Sequence, residues 1–204
     1  FFRSLVVRSQ YADSKRLFHA GSAYVYSDKT GALLYQFDGS AAYDRLGYSV
    51  SGAGDVDGDG FADLIVGALY ANPGGLNFAG SAYVYSGKTG ALIHQFDGSA
   101  AGDHLGESIS GAGDVDGDGF SDLIVGAVGA DPGGLLSAGS AYVYSGLTGV
   151  LLHQFDGSAA DDRLGRSVSG ACEDRQCGRA GKSVVLGGRR HLEKHKRARH
   201  ESTP

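Results

Sequence analysis

The chain has 204 residues, enough for one ordinary domain or a short array of repeats, and its 35 glycines are about twice the usual share. No apolar run approaches the roughly 18 residues of a membrane helix, and two cysteines, both beyond residue 171, make no disulfide framework. The net charge of −5 hides an acidic body and a basic tail: residues 1–171 carry 19 acidic and 9 basic side chains, residues 172–204 carry 4 and 9.

The opening FFRSLVV is too short for a secretory signal and has no cleavage site or initiator Met, which predicts a processed product or a fragment. A repeat then takes over. GSAYVYS recurs at Gly21, Gly80 and Gly139, always 59 residues apart, and QFDGSAA recurs at the same spacing from Gln36, Gln95 and Gln154. Residues 21–79 and 80–138 differ at 13 of 59 positions. Shifted by one period, Leu5, Val6 and Val7 fall on Leu64, Ile65 and Val66, and Ser4 falls on Asp63. The chain thus begins where an aspartate-rich loop would end, which predicts a truncated array.

Each unit reads as about four strands. SAYVYS (22–27) alternates Ala23 and Val25 with Tyr24 and Tyr26, as a half-buried strand does. After a turn around Lys29, Thr30 and Gly31 comes ALLYQFDG (32–39). SVSGAG (49–54) follows, then DLIVGA (63–68), which is apolar on both faces and predicts a central strand. A Gly-rich loop, ANPGGLNFAG (71–80), leads into the next copy, and no segment of the body reads as a helix. Four strands per unit in tandem is the pattern of a propeller blade.

Between the strands 49–54 and 63–68 stand Asp55, Asp57, Asp59 and Asp63. Carboxylates so close repel one another unless a cation lies between them. Calcium takes six to eight oxygens at about 2.3–2.6 Å, and alternate positions of a tight loop supply them. Asp55, Asp57 and Asp59 occupy positions 1, 3 and 5, Gly60 is the turn at 6, the Phe61 carbonyl is available at 7, and Asp63 closes at 9. The second loop repeats this with Asp114, Asp116, Asp118, Phe120 and Asp122. The first half follows EF-hand logic, but an EF-hand closes with Glu at position 12 and is flanked by helices. Magnesium prefers to keep several waters, and softer metals favour His or Cys, which neither loop contains. The competing reading is a polar Asp-Gly turn between strands; two complete copies that keep the ninth-position Asp weigh against it.

A third unit starts with RLGRSVSGA (163–171) and then loses the pattern, with Glu173, Arg175, Cys177 and Gly181 in place of the four Asp. With two inserted residues, SVVLGG (183–188) aligns with DLIVGA, yet the loop is still lost. A decayed repeat, an unrelated tail and a frame error all fit. Residues 172–204 are therefore set apart as a repeat remnant with a basic, flexible tail. Cys172, Cys177, His191 and His195 approach a zinc-finger spacing, but the aromatic and Leu of a finger's small core are missing. The basic run 191–200 could touch phosphates without reading bases. His94 and His153, which replace Tyr35, read as exposed strand positions. Asp44, Asp103 and Asp162 read as loop caps rather than catalytic acids.

The unit resembles an FG-GAP repeat of the integrin alpha-chain type. LGYSVSGAGDVDGDGFADLIVGA (46–68) and LGESISGAGDVDGDGFSDLIVGA (105–127) carry the likeness, with Leu-Gly in place of Phe-Gly and Leu69 and Val128 in place of the family's Pro. The resemblance covers residues 2–171. It implies an all-β fold of tandem four-stranded blades, here an incomplete, open arc of about three. It also implies two Ca2+ sites, held by the eight Asp named above and the Phe61 and Phe120 carbonyls. The expected role is a non-enzymatic, calcium-stabilised module for adhesion or recognition, at the cell surface or outside the cytosol, with a periplasmic setting also open. The partner would be a protein or carbohydrate, with self-association through open blade edges a further option. The alternative is a non-catalytic appendage of a larger secreted enzyme; nucleic-acid binding through the tail ranks below both.

Overall fold

The computed structural model describes residues 4–170 and 185–187, and its regular elements are antiparallel strands with three single-turn 3-10 segments. The first sheet contains β1 (Ser4–Ser9), β2 (Ser22–Ser27) and β3 (Leu33–Asp38), in that order. The second runs β4 (Ser49–Gly54), β5 (Asp63–Ala68), β6 (Ser81–Tyr85), β7 (Leu92–Asp97). The third runs β8 (Leu105–Gly113), β9 (Asp122–Ala127), β10 (Ser140–Tyr144), β11 (Leu151–Asp156). A final pair joins β12 (Ser167–Ser169) to β13 (Val185–Gly187). Each sheet is a meander, so sequential strands are also neighbours.

The register carries the repeat into three dimensions. Leu5 and Val6 of β1 oppose Tyr26 and Val25, as Leu64 and Ile65 of β5 oppose Tyr85 and Val84. β1 is thus the second strand of a unit whose first strand is absent from the described residues. At the other end Ser167, Val168 and Ser169 oppose Gly187, Leu186 and Val185, just as Ser49, Val50 and Ser51 oppose Gly67, Val66 and Ile65. That register is the one given by aligning SVVLGG with DLIVGA across two inserted residues. The zinc-like spacing from Cys172 to His195 and the basic run 191–200 lie outside the described residues.

Stacking of the sheets explains why DLIVGA is apolar on both faces. Every residue of β5 and β9 is buried. Leu64 and Val66 join Val25, Phe37 and Leu46 in the core between the first and second sheets. Ile65, one step along, points the other way, into the core with Val84, Phe96, Leu123 and Val125. Ile124 in turn packs with Val143 and Val168 toward β12. A side-chain period of two therefore feeds two separate cores, each fully buried aliphatic contributing about 1.5–3 kcal/mol.

A fixed set of contacts joins one sheet to the next. The Phe37 ring stacks on Tyr85 at 3.9 Å and Phe96 on Tyr144 at 4.1 Å. The Ser49 hydroxyl donates to the Gly106 carbonyl and Ser108 to Gly165, each at 2.6 Å. The Tyr35 hydroxyl donates to the Lys88 carbonyl, and His94 Nε2 lies 2.6 Å from the Gly146 carbonyl. The reading of the 35/94/153 positions as merely exposed is therefore corrected: Tyr35 and His94 are half-buried bonds to the next sheet, and only His153 is exposed. The Tyr/His exchange preserves a polar tip that reaches the neighbouring turn.

Burial against these stacks pushes the Tyr85 and Tyr144 phenols up to about 12, each with a lesser contribution from the adjacent Tyr83 or Tyr142. Two of the chain's 11 tyrosines should therefore ionise late in an ultraviolet titration. Their ordinary value is 10.0, so the folded state keeps these two protons longer than the unfolded chain. The stability linked to them is full below pH 10 and is lost as pH rises through 12. All tyrosines ionising together in the native protein would contradict the stacking.

Candidate metal centres

Both aspartate loops connect the first and second strands of a sheet. Loop one joins β4 to β5, and loop two joins β8 to β9. Their backbones turn through positive φ at the sixth position, 84° at Gly60 and 95° at Gly119, a region glycine enters without steric cost.

The closing aspartates are held most firmly. Asp63 is 1 % exposed and Asp122 is fully buried. Asp63 accepts the Val56 N–H at 2.8 Å and the Gly87 N–H at 2.9 Å, one on each oxygen. Asp122 accepts Val115 at 2.6 Å and Gly146 at 3.1 Å in the same way, with Asp116 N–H at 3.3 Å. Burial raises both carboxyls above their ordinary value; the backbone donors oppose this, and the neighbouring Asp57 and Asp59, or Asp116, add to it.

The earlier aspartates form the tip of each loop. Asp55 accepts the Gly58 and Gly60 N–H groups at 2.8 and 3.0 Å, and Asp114 accepts Gly117 at 2.6 Å. Carboxylate oxygens of Asp55, Asp57 and Asp63 all lie within 4.8 Å of one another, as do those of Asp114, Asp116 and Asp122. Oxygens about 2.3–2.6 Å from one calcium ion would lie within about 5 Å of each other, so both triads fit a hard divalent cation. Asp59 and Asp118 stand outside the triads, each accepting the N–H two residues on, Phe61 or Phe120, at 2.9 Å.

The loops are also coupled. The Ser121 N–H donates to the Asp55 carbonyl at 3.0 Å. The Phe120 ring lies on loop one, where a Cβ built on Gly58 would meet Phe120 Cε1 at 2.5 Å. Val56, fully buried, anchors the base of loop one in the core between the second and third sheets.

Sequence reasoning missed Gly87 and Gly146, whose N–H groups lock the closing aspartates. A signal existed. In the unit where Ser4 replaces that aspartate, the glycine is also replaced, by Asp28. The caps read from sequence are in place: Asp44 accepts Ala41 N–H at 2.7 Å, and Asp103 and Asp162 accept Ala100 and Ala159 at 2.9 Å.

Tandem four-stranded antiparallel sheets, packed side by side with an acidic loop after each first strand, define an open arc of β-propeller blades. The FG-GAP repeat family model matches residues 46–85 and 105–144. Integrin alpha-5 of Xenopus laevis is 34% identical over 129 residues, covering 57% of this chain and 12% of that protein. Integrin alpha-V of Gallus gallus is 37% identical over 109 residues, covering 50% of this chain and 10% of that protein. Human integrin alpha-IIb is 32% identical over 127 residues, covering 57% and 12%. Residues 46–85 and 105–144 are FG-GAP repeats, and the chain, similar to these integrin alpha chains, spans about an eighth or less of their length. No helix among the described residues is long and apolar enough to cross a membrane.

Proposed function

We propose that the chain is a non-catalytic, calcium-stabilised propeller module that serves adhesion or recognition outside the cytosol. Calcium sits in two loops, one held by Asp55, Asp57, Asp59, Asp63 and the Phe61 carbonyl, the other by Asp114, Asp116, Asp118, Asp122 and the Phe120 carbonyl. The observation that carries this is the same three-carboxylate cluster built twice, on equivalent strands. Asp59 and Asp118 exchange their bonds to the Phe61 and Phe120 N–H groups for the ion when it binds.

The ion neutralises charge that otherwise crowds one loop, and it ties the first strand of a blade to the second. Through Phe120 and Ser121 the second loop braces the first, so binding also fixes the seam between blades. Adhesion rests on the kinship with integrin alpha chains, and the partner is a protein or carbohydrate. Calorimetric titration tests the metal: two calcium ions per chain are expected, with much weaker heats from magnesium. No calcium heat, or a single site that survives loss of either triad, would sink the reading.

A further inference from the structure

Each of the two seams between consecutive sheets opens into a cleft. The first lies beside the Ala68 end of β5, away from the Asp63 end that carries the metal loop. It measures about 220 Å3 and is lined by Asp38, Ser40 and Asp44 of one unit and Tyr83, Tyr85 and Gln95 of the next. The second, about 290 Å3, is lined by Asp97, Ser99, Asp103, Tyr142, Tyr144 and Gln154. That set is the first moved by one period of 59 residues, type for type. Adjoining positions do change: Tyr43, Arg45 and Tyr48 become Gly102, His104 and Glu107.

What each cleft offers a ligand depends on what its side chains have already used. Asp44 is 3% exposed and Asp103 5%. One oxygen of Asp44 accepts the Ser40 hydroxyl and the Ala41 N–H. One oxygen of Asp103 accepts the Ser99 N–H and hydroxyl and the Ala100 N–H. The other oxygen of each accepts no hydrogen bond among the described residues. A buried acceptor without a donor is costly, so each cleft holds a place for a donor from outside. Asp38 likewise uses one oxygen, for Ser22 and Gln36. Gln95 and Gln154 spend their N–H groups on Asp97 and Asp156, which leaves their carbonyl oxygens. The Tyr85 and Tyr144 hydroxyls have no hydrogen-bond partner among the described residues and remain as donors. Acceptors thus stand on both walls, with a phenol between them.

We propose that each cleft binds one ring of a neutral carbohydrate, so that the chain holds a glycan at two equivalent places one blade apart. This gives the recognition role a ligand class and rests on that reading. Sugar hydroxyls donate to the open carboxylate oxygen and to the glutamine carbonyl, and a sugar oxygen accepts from the Tyr85 or Tyr144 hydroxyl. Both clefts fall below the roughly 300–1,000 Å3 of pockets for drug-sized ligands, which suits a single ring. A cationic group is the competing occupant of an acidic cleft. Two features favour the neutral one. Each buried carboxylate already accepts two or three N–H or O–H donors, which spreads its charge and leaves one acceptor to fill. One face of Tyr85 is covered by Phe37, and one face of Tyr144 by Phe96, which narrows the aromatic surface open to a cation. A site copied with the unit also matches a ligand that itself repeats, since a glycan reaching both clefts binds more tightly than either ring alone.

Saturation-transfer NMR and calorimetric titration of the calcium-loaded 204-residue chain test this, with glucose, galactose, mannose, fucose and N-acetylglucosamine at millimolar concentration as probes. At least one sugar should bind, at two sites per chain. Gln95 and Gln154 are exposed. Gln95→Ala should remove the first site and leave the second, and Gln95→Ala with Gln154→Ala should remove both without lowering the unfolding midpoint. Asp44→Asn keeps an oxygen for the Ala41 N–H but turns the open acceptor into a donor, and should weaken the first site about tenfold. No binding by any of the five sugars, binding that survives the double glutamine variant, or displacement of the sugar by butylamine at equal concentration would each overturn the proposal. The clefts use none of the metal-loop aspartates. A chain that takes up two calcium ions but ignores sugars therefore sinks this inference alone, and one that binds sugar without calcium sinks only the metal reading.

Discussion

Saturating calcium will raise the unfolding midpoint of this chain by ten degrees or more, and a chelator will reverse the gain. A ligand that binds only the folded state stabilises it by about 2.7 kcal/mol at a hundred times its dissociation constant. Two sites on separate blades give about 5 kcal/mol if they act independently. For a chain of this size each kcal/mol moves the midpoint by about 2–4 °C. Calorimetry with calcium and with chelator reads the difference directly, and equal midpoints would refute structural calcium.

Two substitutions separate the ion from the scaffold. Asp57 is exposed and accepts the Asp59 N–H at 3.1 Å. Asp57→Asn should leave the calcium-free midpoint nearly unchanged while removing most of the gain from loop one. Asp63→Ala should do more, because it strands the buried N–H groups of Val56 and Gly87. Each orphaned donor costs about 1–3 kcal/mol, so the calcium-free protein itself is weakened. The pH dependence has a definite sign. Burial lifts Asp63 and Asp122 above the ordinary 3.8, so without calcium the folded chain holds these protons more tightly than the unfolded chain. That contribution is full below pH 3.8 and fades as pH rises through the lifted values. Calcium requires the deprotonated form, so its gain grows over the same interval. A gain that shrank with rising pH there would contradict the assignment.

Strands, units and both aspartate loops were legible because each leaves a local mark: a period of two, a repeated turn, carboxylates at alternate positions. DLIVGA announced a central strand because it feeds two cores at once, and the register of β1 and β13 followed from the repeat phase alone. The role of Tyr35 and His94 was not legible. Their partners, the carbonyls of Lys88 and Gly146, lie 52 or 53 residues away and are backbone atoms that no side-chain pattern marks. Gly87 was hidden for the same reason, since its contribution to Asp63 is an N–H. The split of each aspartate set into a clustered triad and an outlying fifth-position residue depends on loop geometry that spacing does not encode.

Gly67→Ala is expected to be strongly destabilising because it acts on the seam between two complete sheets. A Cβ at Gly67 would lie 2.1 Å from the Gly106 carbonyl oxygen and 2.2 Å from Ser49 Oγ. The serine can rotate, but the carbonyl belongs to the backbone of the next blade, so relief requires the second and third sheets to move apart. Overpacking typically costs about 1–3 kcal/mol, and a seam between two complete sheets belongs at the upper end, which lowers the midpoint by roughly 10 °C. Gly126→Ala meets the Gly165 carbonyl oxygen at 1.9 Å, yet the strand beyond that seam is the three-residue β12, which yields more readily, so its cost should be smaller. Gly52→Ala, where a Cβ meets nothing within 4 Å, is the control and should stay within about 0.5 kcal/mol. The chain already contains a version of this experiment. Arg8 occupies the Gly67 position in the first sheet, which has no first strand among the described residues, and its guanidinium bonds the Tyr48 carbonyl of the next blade. If Gly67→Ala melts with Gly52→Ala, the spacing between blades is not set by this glycine, and the close approach at the seam carries no energetic weight.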